Sequence, residues 1–133
     1  MLKKNGFTIV FLTWMGLITF LSLHSFKDNE LPDLGIPNMD KLVHFVFYAM
    51  ATFLGCLFIR ERTHGEKGLK PTLGIIGFLM IMYGMVIEVL QYGFTTSRDG
   101  NIFDVLANSV GTLAGILTIV FIFKGERRLN WKY

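Results

Sequence analysis

At 133 residues, the chain is 52% hydrophobic and 14% aromatic but only 17% charged. That is too apolar for a soluble domain of this size, in which about 25% charged residues are usual. The net charge of +3 is modest, and with no basic face interleaved with exposed aromatics the sequence speaks against nucleic-acid binding. The single cysteine, Cys56, lies inside an apolar run, so it can form no intrachain disulfide and is read as packing.

Four runs are long enough to cross a hydrocarbon core of about 30 Å, which takes about 20 helical residues. The predicted architecture is therefore all-α, a polytopic membrane protein of four transmembrane helices forming a single domain over 1–133. The predicted helices span 6–26, 40–60, 71–92 and 102–123. The first run, GFTIVFLTWMGLITFLSLHSF, follows Lys3 and Lys4. It is longer than the apolar stretch of a signal peptide and has no A-x-A-type site after it, so it reads as a retained anchor. The segment KDNELPDLGIPNM at 27–39 carries two prolines and a glycine and is a loop. Asp40 is placed as the N-cap of the second helix, where a carboxylate suits the positive end of the dipole. After the charged loop RERTHGEKGLK, Pro71 opens the third helix, a position at which proline is tolerated.

The basic residues set the orientation. Lys3 and Lys4, then Arg60, Arg62, Lys67 and Lys70, then Lys124, Arg127, Arg128 and Lys132 all fall on one side. Only Lys27, Lys41 and Arg98 fall on the other. Both termini and the middle loop are therefore expected in the cytoplasm. The start of helix 2, the end of helix 3 and the start of helix 4 are expected on the extracytoplasmic side.

Those three ends hold most of the unusual residues. Asp40 and His44 are spaced i, i+4, as are Asp104 and Asn108, while Glu88 and Gln91 are spaced i, i+3; each pair shares a helix face. His44 and Glu88 lie about 6 Å in from their helix ends and Asn108 about 9 Å, at about 1.5 Å per residue. The depths match well enough for one pocket, with Asp40, Lys41, Arg98 and Asp104 at its rim and His44, Glu88, Gln91 and Asn108 as its floor. An ionisable group inside a membrane helix is costly and is read first as functional. The bland alternative is an ion pair locking helices 2, 3 and 4, with Glu88 taking Arg98, Lys41 or His44 as its cation. Buried interhelical hydrogen bonds contribute only about 0.6 kcal/mol each, and eight polar groups at one end exceed what such locking needs. The stripe Ala107, Gly111, Gly115 permits close packing of helix 4 against a neighbour, either in the same chain or in a homo-oligomer. Trp131 and Tyr133, following the basic tail, read as an interfacial aromatic anchor.

Three pieces, MDKLVHFVFYAM at 39–50, YGMVIEVLQ at 83–91 and SRDGNIFDVLANSVGTLAG at 97–115, recur in the order and at the helix ends of a known pattern. Taken together they resemble the VanZ-like family of bacterial membrane proteins. The resemblance covers about residues 38–120, with helix 1 matching only as an apolar segment. It implies a four-helix protein of the bacterial inner membrane linked to glycopeptide (teicoplanin-type) antibiotic resistance. By position, Asp40, Lys41, His44, Glu88, Gln91, Arg98, Asp104 and Asn108 match the family's polar motif.

The leading expectation is an outward-facing pocket that binds a lipid headgroup, a cell-wall precursor or a glycopeptide-related ligand. Arg98 and Lys41 would take its phosphate or carboxylate. The alternative is a membrane enzyme acting on a lipid-linked substrate, with His44, Glu88 or Asp40 as general acid or base. No G-x-S-x-G, H-E-x-x-H or P-loop pattern is present to decide for catalysis. Asp40, Glu88 and Asp104 form a conceivable divalent-cation set, but no metal and no cofactor are assigned. An exporter ranks last, because no carboxylate lies near the midplane of helices 1, 2 or 4.

Overall fold

A computed structural model describes residues 5–24, 38–94, 102–124 and 130–132. It contains four α-helices: α1 (Gly6–Leu23), α2 (Met39–Arg62), α3 (Leu69–Phe94) and α4 (Ile102–Lys124). All four are long and apolar enough to cross a bilayer. In hydrocarbon a backbone must satisfy its own polar groups, which a helix does within one segment. Large apolar side chains such as Phe78, Val89, Leu117 and Phe121 point outward, a surface suited to lipid and costly in water.

Helix ends differ from the predicted ones for local reasons. Asn38, in the left-handed conformation at φ 57°, takes the N-cap position of α2. Asp40 thus stands in the first turn and is not the cap, though its charge still faces the positive end of the dipole. α2 runs on to Arg62. α3 starts at Leu69, so Pro71 is its third residue and does not open it. Proline has no N–H to give the carbonyl four residues back, which here is that of Lys67. The Trp131 indole N–H donates to that carbonyl instead, at 2.6 Å. Trp131, expected from the sequence only as an interfacial aromatic, is therefore a docking residue within the chain. Arg60 completes the dock by donating to the Trp131 carbonyl at 2.8 Å, and Trp131 meets Phe123 edge-on at 5.1 Å.

α1 and α4 each pack on both α2 and α3, and the α2–α4 seam is the most extensive. Backbone contact explains that seam. A Cβ at Gly111 would strike the Phe45 carbonyl oxygen, and one at Gly115 would lie 2.6 Å from the Ala49 carbonyl oxygen. The neighbour of the small-residue stripe is thus α2 of the same chain. Tyr48, Ala51, Cys56, Ile18 and Ile119 are fully enclosed between the helices, which places Cys56 in the core as a packing residue.

At the end of the bundle where α1 begins, Glu61 does work that its place in a charged loop had hidden. Its carboxylate accepts from the backbone N–H groups of Phe7 at 3.1 Å and Thr8 at 2.7 Å, and from the Thr8 hydroxyl at 2.8 Å. The first turn of a helix leaves such N–H groups without intrahelical partners, and the Asn5 side chain supplies no cap. A carboxylate from α2 therefore caps α1. Glu61→Ala is expected to lower stability by about 2 kcal/mol, the range of hydrogen bonds to a charged group. Glu61→Gln, which keeps one acceptor, should lose less. Thermal unfolding in detergent micelles gives the order, and equal losses for the two variants would deny the capping role.

Candidate functional site

At the opposite end, α2, α3 and α4 bring His44, Glu88, Asp104 and Asn108 together. Helical spacing does the positioning: His44 is one turn below Asp40 on α2, and Asn108 is one turn below Asp104 on α4. His44 Nδ1 lies 3.1 Å from Asn108 Oδ1 and 3.7 Å from Glu88 Oε1. The other ring nitrogen, Nε2, lies 4.0 Å from Asp104 Oδ2. Ligand-type atoms of His44, Glu88 and Asp104 all fall within 4.8 Å of one another. Above them, Lys41 donates to Asp40 at 2.7 Å and lies 3.4 Å from Asp104 Oδ1.

Three sequence expectations are modified. Asp104 belongs with the buried group and not with the rim: it is 9% exposed, against 5% for both His44 and Glu88 and 1% for Asn108. Gln91, expected in the floor, donates through Nε2 to the Ser22 carbonyl at the end of α1, at 2.8 Å. It therefore satisfies one of the carbonyls that a helix C-terminus leaves open. The carboxylates also meet in a different set from the one foreseen for a cation, since Asp40 turns outward to Lys41 and His44 takes its place beside Glu88 and Asp104. Among the described residues the members of the cluster pack on one another, and Asp40 and Lys41 are the most exposed of the set. Arg98 lies outside the described residues.

Two residues of this region had no place in the sequence reading. Tyr48 and Thr52 continue the His44 face of α2 at i+4 and i+8, and both are completely buried. Among the described residues their hydroxyls have no hydrogen-bond partner, and neither does Asn108 Nδ2. The i, i+4 repeat from His44 was the available signal. Gly84 makes room for Tyr48 and Asn108. A Cβ there would stand 3.2 Å from both Tyr48 Cε1 and Asn108 Nδ2. The polar column thus extends from Asp40 at the surface down toward the middle of α2. A separate groove of about 470 Å³ runs along the α2–α4 seam, lined by apolar residues that include Phe45, Met50, Phe53 and Ala114.

The family model described as VanZ/LLP1 matches residues 3–124. The chain belongs to the VanZ/LLP1 family. The match takes in α1, which the three motifs had matched only as an apolar segment. It also makes the protein a multi-pass membrane protein on two grounds, family and helix composition. Comparison with curated proteins and with solved structures gives no match. Within this VanZ/LLP1 chain, the His44–Glu88–Asp104–Asn108 cluster draws one residue or more from each of three helices. It is the densest meeting of ionisable side chains among the described residues of the bundle interior.

Proposed function

We propose that this VanZ/LLP1 protein binds a lipid headgroup, a cell-wall precursor or a related anionic ligand at the extracytoplasmic end of the bundle, and thereby alters glycopeptide susceptibility. The convergence of His44, Glu88, Asp104 and Asn108 from three helices carries the reading. Polar groups concentrated at one end of a membrane bundle cost more than helix association returns. The distribution of lysine and arginine supports placing that end outside, in the inner membrane of a bacterium. Lys41 and Arg98 supply positive charge for a phosphate or carboxylate. Asp104, Asn108 and the Tyr48 hydroxyl offer hydrogen bonding further in.

Catalysis is the second reading, favoured by one observation: His44 has a carboxylate facing each ring nitrogen, the arrangement that orients a general acid or base. One experiment separates the two. The protein is purified with native lipids, and the bound lipid is identified by mass spectrometry at intervals. Stable retention, reduced at least tenfold by Arg98→Ala or Lys41→Ala, is expected for binding. Conversion of the lipid over time, abolished by His44→Ala, would establish the enzyme. A preparation that retains no lipid above the level of an unrelated four-helix protein would defeat both.

A further inference from the structure

The groove between α2 and α4 has a shape that the residues beneath it fix. Glycine lets the two backbones meet at Gly111 with Phe45 and at Gly115 with Ala49, so the helices cannot move closer to close it. Ala49, Ala114 and Gly115 are too small to fill the space that Phe45, Met50 and Phe53 border. Its place along α2 says what fits. Phe45 is one turn below Lys41, and Phe53 lies about 12 Å further in, at about 1.5 Å per residue. A bilayer core is about 30 Å thick, so the groove starts just under the charged end and stops near the middle. That is the depth of one leaflet's hydrocarbon chains, whereas a partner helix would follow the seam through the whole core. The charged end is mixed in sign. Lys41 stands between two carboxylates, 2.7 Å from Asp40 and 3.4 Å from Asp104. Asp40 exposes 49% of its side chain and Lys41 27%, so both can be reached from outside. A headgroup of negative charge alone meets two carboxylates there for one ammonium. A zwitterionic headgroup suits both signs, its phosphate pairing with Lys41 and its ammonium with Asp40.

We infer that one acyl chain of a zwitterionic phospholipid, of the phosphatidylethanolamine kind, lies in the α2–α4 groove with its headgroup on Asp40 and Lys41. Lys41, Phe45, Ala49 and Phe53 follow one another in steps of four and share a face of α2, so headgroup and chain are met from the same side. A chain seated there restores the van der Waals contacts that an unfilled groove forfeits. Within a membrane, where lipid tails are as apolar as the protein surface, such packing is what selects a neighbour. The inference rests on the lipid-binding reading above and narrows its ligand to a lipid of balanced charge.

The test places the full chain in phosphatidylglycerol vesicles that hold a trace of phosphatidylethanolamine with a photoreactive diazirine at mid-chain. Illumination followed by peptide mass spectrometry locates the adduct. Label concentrated at Phe53 and Ala114 is expected, and Ala114→Phe, which fills the groove, should reduce it at least fivefold. A phosphatidylglycerol probe with the same diazirine should label these residues at least fivefold less, and Asp40→Asn should narrow that difference. Label spread evenly over the lipid-facing sides of all four helices overturns the site, and so does concentrated label that Ala114→Phe leaves unchanged. A dimer that shields the groove residues from the probe overturns it as well. Should Ala114→Phe fail to fold, the position of the label in the unaltered protein and the contrast between the two probes still decide. Preference for the phosphatidylglycerol probe would keep the anionic-ligand function proposed above and overturn this assignment. Phosphatidylethanolamine held in the groove, in cells whose teicoplanin susceptibility is unchanged when the protein is removed, would leave the assignment standing and remove that function.

Discussion

Gly111→Leu should leave no properly assembled bundle to purify, and Gly111→Ala should already lower the unfolding temperature sharply. The reason is that the obstacle is backbone. A Cβ at this position runs into the Phe45 carbonyl oxygen, and the next atoms out are the Phe45 carbonyl carbon and Cα, at 3.0 and 3.1 Å. A flexible side chain could swing aside, but a carbonyl in the middle of α2 moves only with its helix. Overpacking in a well-filled interior costs about 1–3 kcal/mol per site. A shift of α2 also reaches His44, next to Phe45, and so disturbs the polar cluster. Gly74→Ala is the control, since a Cβ there meets nothing within 4 Å. It should be neutral or slightly stabilising, because alanine is the better helix former. Size-exclusion profiles and thermal unfolding of the two alanine variants give the contrast. A Gly111→Ala protein as stable as Gly74→Ala would mean the α2–α4 seam is looser than these contacts require.

The sequence made the bundle legible because a bilayer imposes one strong rule. Apolar runs of the right length must be helices, and any polar residue they carry stands out. That is why Asp40, Lys41, His44, Glu88, Asp104 and Asn108 could be collected from three separate segments before any contact was known. What the rule does not give is the direction in which a side chain turns. Asp104 and Asp40 look alike by depth, yet one faces His44 and the other turns outward to Lys41. Gln91 sits one turn from Glu88 but is taken by a helix end of α1, and no spacing within α3 reveals that. Glu61 lies between Arg60 and Arg62 and so reads as an ordinary loop charge. Its role appears only once α1 is laid against α2. The same holds for Trp131, whose partner is a carbonyl released by a proline far away in sequence. Residues that act within one helix, or at a helix end facing the membrane surface, were visible. Residues in charged loops or the tail whose partners lie on another element, as Glu61 and Trp131 do, were not.

His44→Leu is expected to destabilise the protein by about 2 kcal/mol, within the range for leaving buried polar partners unsatisfied. Leucine fills much the same volume, so the loss is electrostatic and not a cavity effect. With the imidazole gone, two carboxylates from α3 and α4 that had His44 between them are left in a largely apolar interior, a costly arrangement for like charges. Adding Glu88→Gln to His44→Leu should then recover part of the loss, because it removes one of those charges. Glu88→Gln alone should be destabilising or neutral. The double-mutant cycle is therefore predicted to be non-additive by about 1–2 kcal/mol, as for residues that share one network. Unfolding in mixed detergent, followed by helical circular dichroism, measures all four corners. If the two substitutions add within error, His44 and Glu88 are neighbours at 3.7 Å that do not act together, and the three helix ends are held by packing alone. If the cycle closes with the predicted coupling, the polar groups of α2, α3 and α4 at this end form one energetic unit.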